Sequence, residues 1–170
     1  MLSVVIITKN EAHRITRCLA SVTWADEIIV LDSGSTDNTV EIAKTFTPLV
    51  FTDTNWQGFG VHKQRVLSRA TGDWVLNLDA DECVDAGLRA RMQQAIKAGQ
   101  FDAFRIPIRM CFYGKPLRFS SSPTRHVRLF KRLGAQYSDD SVHEKIVLPK
   151  QARIGQLKTP IWHDSFLDLS

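Results

Sequence analysis

The chain has 170 residues, 44% hydrophobic and 24% charged, with a formal net charge of +4, which is the composition of an ordinary globular chain with one well-buried core. No apolar run approaches the roughly 20 residues that a membrane helix requires, and Met1-Leu2-Ser3 runs straight into an apolar strand without the charged leader of a signal peptide. The three cysteines, Cys18, Cys83 and Cys111, have no metal-ligand spacing, which excludes a zinc pattern and a disulfide framework and fits reduced thiols inside a cell.

The elements follow from pattern. Val4-Val5-Ile6-Ile7 is a continuous apolar run, the segment from Glu11 to Ser21 has helical spacing through Ile15, Cys18 and Leu19, and Glu27 to Leu31 is apolar again. A second helix is predicted over 36–45, a short strand over 49–51, a helix through Val61, Val66 and Leu67, and a strand over 74–78. Alternation of this length implies an α/β fold with a mostly parallel sheet and helices on both faces. After a helix over 85–97 the alternation stops, and the remainder reads as short strands and loops rich in Pro, Gly, Ser and Arg. The chain is read as one domain, with a ligand-binding half over 1–100 and an irregular, partly β half over 101–170.

Ligands of open parallel sheets bind at the carboxyl ends of the strands. Those ends read Thr8-Lys9-Asn10-Glu11, Asp32-Ser33-Gly34-Ser35-Thr36-Asp37 and Asp79-Ala80-Asp81-Glu82. The last of these places three carboxylates within four residues, an arrangement that repels itself unless a cation sits among them. Mg²⁺ or Mn²⁺, which takes oxygen ligands while gripping substrate phosphates, suits it; the alternative is a solvated strand end. In the second segment, Ser35, Thr36 or Asp37 would cap the following helix, whereas Asp32, at the strand end, is free to accept hydrogen bonds from a base or ribose.

Together with Ala70-Thr-Gly72-Asp-Trp74-Val-Leu-Asn-Leu leading into Asp79, these three ordered motifs resemble the inverting family 2 glycosyltransferases of the GT-A fold. Within that family the chain is most similar to the bacterial lipopolysaccharide inner-core β-glucosyltransferases, also at Val142-His143-Glu144 and Trp162-His163-Asp164-Ser165. The resemblance implies a Rossmann-like nucleotide-diphospho-sugar fold, a UDP-sugar donor such as UDP-glucose, a divalent metal, and a hydroxyl of a lipid-linked sugar as acceptor. Residue by residue, it places Thr8, Asn10 and Glu11 beside the nucleotide and Asp32 at the uracil or ribose. Asp79 would approach the ribose or donor sugar, and Asp81 would be the metal ligand bridging to the diphosphate. Lys63 stands where many relatives carry Arg before Asn, and Gln64 replaces that Asn; without the resemblance, Lys63 and Arg65 read as a solvated basic helix face.

Inversion by direct displacement needs a carboxylate to take the acceptor proton. Asp139, Asp140 and Glu144 are the candidates, and the family pattern at His143-Glu144 favours Glu144 over an ordinary strand-edge charge. A late histidine completes the metal shell in several GT-A enzymes, which marks His163, with Asp164 as its orienting neighbour; a packed, non-ligating histidine is the alternative. His13, His62 and His126 carry no comparable signal.

No acidic residue lies between Asp102 and Asp139, where Arg105, Arg109, Lys115, Arg118, Arg125, Arg128, Lys131 and Arg132 alternate with Phe104, Phe112, Tyr113, Phe119 and Phe130. This suits a phosphorylated glycolipid at an anionic membrane surface, and so an enzyme peripheral to the inner face of the cytoplasmic membrane; a solvated basic loop is the alternative. Nucleic acid is not expected, because no nucleic-acid-binding motif accompanies the charge. A dinucleotide-binding oxidoreductase would need G-x-G-x-x-G after the first strand, which is absent. A sugar nucleotidyltransferase would carry a glycine-rich basic loop there, and a non-catalytic binding module would share the fold without turnover. The ending Phe166-Leu167-Asp168-Leu169-Ser170 reads as the start of an amphipathic segment and suggests C-terminal truncation.

Overall fold

A computed structural model describes residues 1–112, 115–116, 124–140 and 143–164. The first half runs β1 (Leu2–Thr8), α1 (Ile15–Ala20), β2 (Glu27–Asp32), α2 (Thr39–Lys44), β3 (Val50–Thr52), α3 (Phe59–Leu67) and β4 (Trp74–Asn77). The second runs β5 (Glu82–Cys83), α4 (Ala86–Ala98), β6 (Ala103–Phe112), β7 (Lys115–Pro116), β8 (Thr124–Lys131), β9 (Gln136–Tyr137), β10 (Ile146–Val147), β11 (Ile154–Gln156) and β12 (Ile161–Asp164).

The strands β3-β2-β1-β4 are parallel, and the sheet continues through β8, β6, β12 and β5. β8 is antiparallel to both β4 and β6, whereas β11 and β12 pair with β6 in parallel. Residues of β1, β2 and β4 alternate between two cores. Val4, Ile6, Val30 and Leu76 pack with α1, α2 and α4 through Ile15, Leu19, Ala43, Leu88 and Met92. Val5, Ile29, Leu31 and Val75 pack with α3 through Val66 and Leu67. Continuous apolar strands are what a sheet covered on both faces requires.

Local chemistry explains the element ends. Asp85 Oδ1 accepts from Leu88 N at 2.8 Å to cap α4, and Gly99, at φ 67°, closes it in the left-handed region. The helices α1 and α2 are shorter than their periodicity predicts, six residues each, because the segments before them are used as loops at the strand ends.

The second half is less irregular than its composition suggests: β6 has ten residues and β8 has eight, both inside the main sheet. Pro107 obscures β6 in the sequence, since proline cannot donate to a ladder. It is tolerated because β11 pairs with residues 103–105 and β12 with residues 108–111, which leaves Pro107 in the gap between them.

Candidate functional site

The carboxyl ends of β1, β2, β3 and β4 open onto a cleft of about 590 Å³. Its floor comes from Thr8, Lys9, Glu11 and Ser33, one wall from Asp79, Ala80 and Asp81, and the facing wall from Trp56, Phe59, Lys63 and Glu144. The strand order reverses between β1 and β4, so the cleft lies at the topological switch point, where an α/β sheet presents its ligand.

Two strand-end loops lock to each other across the floor. Asn10 N donates to Ser35 Oγ at 2.8 Å, Glu11 N to Thr39 Oγ1 at 2.9 Å and Ala12 N to Asp37 Oδ2 at 3.2 Å, while Thr36 N returns a bond to Asn10 Oδ1 at 2.8 Å. Asn10 takes φ 53°, a left-handed conformation that asparagine adopts at lower cost than most residues. Ser35 and Asp37 therefore brace the β1 end, and although the N-cap residue Asn38 makes no side-chain cap bond, Asp37 Oδ1 accepts from Thr39 N, the first N–H of α2, at 3.0 Å, in line with the capping expectation for Asp37. Asp32 is buried and turned into its own loop, accepting from Gly34 N at 2.9 Å, Ser35 N at 2.8 Å and Ser35 Oγ. Neither Asp32 nor Asn10 lines the cleft, whereas Thr8 and Glu11 do. Burial raises the Glu11 pKa, with Arg14 opposing, and Thr8 Oγ1 is buried without a hydrogen-bond partner.

Lys63 is not on a solvated face. It is buried, with Nζ 2.7 Å from Glu144 Oε1 and 3.9 Å from Asp79 Oδ1. This contact depends on close packing of α3 against the chain ahead of Glu144. A Cβ at Gly60 would lie 2.0 Å from Ser138 O, and Gln64 Oε1 accepts from Tyr137 N at 2.8 Å. Gln64 thus holds the segment that carries Glu144. The other proposed bases, Asp139 and Asp140, are exposed and do not line the cleft.

The ligating atoms of Asp79, Asp81 and Glu82 lie within 4.8 Å of one another. They are not equivalent. Glu82 is buried, and its two oxygens accept from Arg128 at 2.7 and 3.0 Å. Asp81 Oδ2 instead meets His163 Nε2 at 2.8 Å, because β12 pairs with β5 and brings His163 opposite Glu82. This hydrogen bond raises the His163 pKa above the ordinary imidazole value, against the effect of burial. One carboxylate and one imidazole at that separation, beside the cleft, fit a divalent cation in place of the shared proton, with Asp79 as a further carboxylate in the same cluster. Burial works against ionisation of Asp79, but Arg128 and Lys63 outweigh it and hold its pKa below the usual value.

Arg128 is the main residue that sequence reading missed, since it was grouped with a surface basic run. That run does not form one patch: Arg128 is buried, Lys131 pairs with Asp102 at 3.0 Å, and Arg132 Nε donates to Gly72 O at 2.8 Å. Arg109, Lys115 and Arg125 are exposed, while Arg118, Tyr113 and Phe119 lie outside the described residues. Phe104 and Phe130 are core residues on inward positions of β6 and β8. The cleft aromatics are Trp56 and Phe59 instead, in edge contact at 4.9 Å and both close to half exposed; nothing in their spacing distinguishes them from core residues. His62 is also buried, 3.1 Å from Ser33 Oγ.

Residues 3–150 match the family described as glycosyl transferase family 2. The chain belongs to that family. It is 34% identical over 158 residues to an uncharacterized glycosyltransferase of Rickettsia prowazekii, covering 88% of this chain and 53% of the relative. It is 30% identical over 169 residues to LpsC of Rhizobium meliloti, a lipopolysaccharide core biosynthesis glycosyltransferase, covering 93% and 60%. The chain thus spans between about half and three fifths of the length of these curated relatives. Among solved structures it superposes on S. aureus TarS in complex with UDP-GlcNAc with a TM-score of 0.67 at 19% identity, covering 96% of this chain and 58% of that one. Against Mycobacterium tuberculosis glucosyl-3-phosphoglycerate synthase with Mg²⁺ and UDP the TM-score is 0.62 at 19% identity, covering 96% and 71%. The family 2 chain therefore has the GT-A fold, with the mixed sheet described above. Among the described residues, no helix is long and apolar enough to cross a membrane.

Proposed function

We propose that the cleft binds a UDP-sugar, with UDP-glucose as the donor, and that the hexose passes with inversion to a sugar hydroxyl of a lipopolysaccharide-core or related phosphorylated glycolipid at the inner face of the cytoplasmic membrane. The observation that carries this reading is the bridging of the two cleft walls: Lys63 joins Asp79, from the end of β4, to Glu144, from the second half of the chain. One cleft thus holds both a donor-side carboxylate and a candidate base. The LpsC relative supports the acceptor class, and the complexes of TarS and glucosyl-3-phosphoglycerate synthase support a uridine nucleotide.

In this reading Thr8 and Glu11 form the nucleoside floor, Asn10 braces it through Ser35 and Thr36, and Asp32 shapes the loop beside it. Asp79 would face the ribose or donor sugar, and Asp81 and His163 would hold the metal. A divalent ion there would neutralise charge on the departing diphosphate. The acceptor oxygen forms its bond to the anomeric carbon as the bond from that carbon to the diphosphate breaks. Its proton passes to Glu144, and the bonding electron pair leaves with the diphosphate. Exposed Arg109, Lys115 and Arg125 supply positive charge toward a phosphorylated acceptor.

Calorimetric titration of UDP and UDP-glucose with and without Mn²⁺, repeated on Asp81→Ala, tests the donor half. UDP release on adding a lipopolysaccharide-core acceptor tests transfer. Metal-dependent binding that the substitution abolishes is expected; a folded protein that binds neither ligand would overturn the reading.

A further inference from the structure

β8 carries one residue more than β6 between the pairs Phe104–Leu129 and Arg105–Val127, and that extra residue is Arg128. The bulge explains how an arginine in a central strand reaches the acidic cluster of Asp79 and Glu82. Bulges re-aim a side chain that regular pleating would send elsewhere, and they recur beside active sites. Here the guanidinium is buried and satisfied on three sides. Nη1 donates to Glu82 Oε2 at 2.7 Å and to Asn77 O at 3.2 Å, while Nη2 donates to Glu82 Oε1 at 3.0 Å and lies 3.5 Å from Asp79 Oδ2.

We infer that Arg128 is a positioning residue for the donor, acting through Asp79. Each Asp79 oxygen has its own cation, Oδ2 facing Arg128 at 3.5 Å and Oδ1 facing Lys63 at 3.9 Å. The Asp79 backbone N–H donates to Glu82 Oε2 at 2.9 Å, so the bidentate pair fixes both the main chain and the carboxylate. Glu82 is thereby withdrawn from metal ligation and serves to hold Arg128. A planar fork is required for this, because one head group must satisfy two Glu82 oxygens, a carbonyl and Asp79 together; a lysine ammonium is a single point charge.

The inference rests on the reading of the cleft as a UDP-sugar site, and the experiment separates the two. UDP-glucose affinity is measured for wild type, Arg128→Lys, Asp79→Asn and the double variant. Arg128→Lys is expected to weaken binding about tenfold when Asp79 is present and less than about twofold in the Asp79→Asn background, the non-additivity of residues acting as a unit. Equal losses in both backgrounds, with wild type binding normally, would overturn the role of Arg128 and leave the cleft assignment standing. Absence of wild-type binding would overturn both. A second variant, Glu82→Met/Arg128→Met, replaces the buried pair with apolar side chains, an exchange that is often neutral or stabilising. Wild-type thermal stability with weakened UDP-glucose binding is the expected result. Affinity that returns along with stability would show that the pair only supports the fold.

Discussion

Lys63 on α3 and Glu144 ahead of β10 meet at 2.7 Å although 81 residues separate them in the chain. A buried lysine that faces both Glu144 and Asp79 couples the two halves of the cleft. Glu144→Gln retains the shape of the side chain and removes its basicity. Turnover should fall by about 10²–10⁴-fold, the range for loss of a general base, with UDP affinity nearly unchanged. Initial rates and calorimetry on the same preparation provide the check, and near wild-type turnover would rule Glu144 out.

The same contact depends on Gly60. A methyl group there would lie 2.0 Å from Ser138 O, which is backbone and cannot rotate away. Gly60→Ala must therefore push α3 from the Ser138–Asp140 segment and separate Lys63 from Glu144. Overpacking of this kind costs about 1–3 kcal/mol. Denaturant unfolding should show that loss, and kcat should fall more than UDP affinity does.

The hydrogen bond between His163 and Asp81 sets a pH dependence for metal. It raises the imidazole pKa, so the proton competes with a cation to a higher pH than for a free histidine. Metal-dependent UDP binding should weaken as pH falls through the imidazole range. His163→Ala should weaken it at every pH and flatten the profile. Titrations with Mn²⁺ between pH 6 and 9 read both effects, and a profile unchanged by the substitution would remove His163 from the site.

Asp102 ties the start of β6 to β8 and β11. Its carboxylate accepts from Arg153 N at 2.9 Å and from Lys131 Nζ at 3.0 Å, which lowers its pKa to about 2 from the ordinary 3.8. A depressed pKa means that the folded state binds this proton less readily than the unfolded state does. The stabilisation is complete above about pH 4 and is lost as pH falls toward 2. Asp102→Asn should lower the melting temperature at pH 7 and leave wild type and variant nearly equal near pH 2.

The strand-helix alternation, the apolar strands and the acidic cluster after β4 were all legible in the sequence, because each is a local pattern of period, composition or adjacency. From those patterns follow the parallel half of the sheet, the edge on which the cleft opens and the acidic cluster beside it. Partners distant in the chain were not legible in this way. That Lys63 is buried against Glu144, that Glu82 belongs to Arg128 while Asp81 belongs to His163, and that Asp32 turns into its own loop all depend on strand register, on one bulged residue in β8 and on the missing side chain at Gly60. Composition grouped Arg128 with seven other cations, and only the order β4-β8-β6 placed it beneath the acidic cluster. Charges at the same linear spacing become surface or site according to where the backbone sends them, and long-range strand pairing decides that.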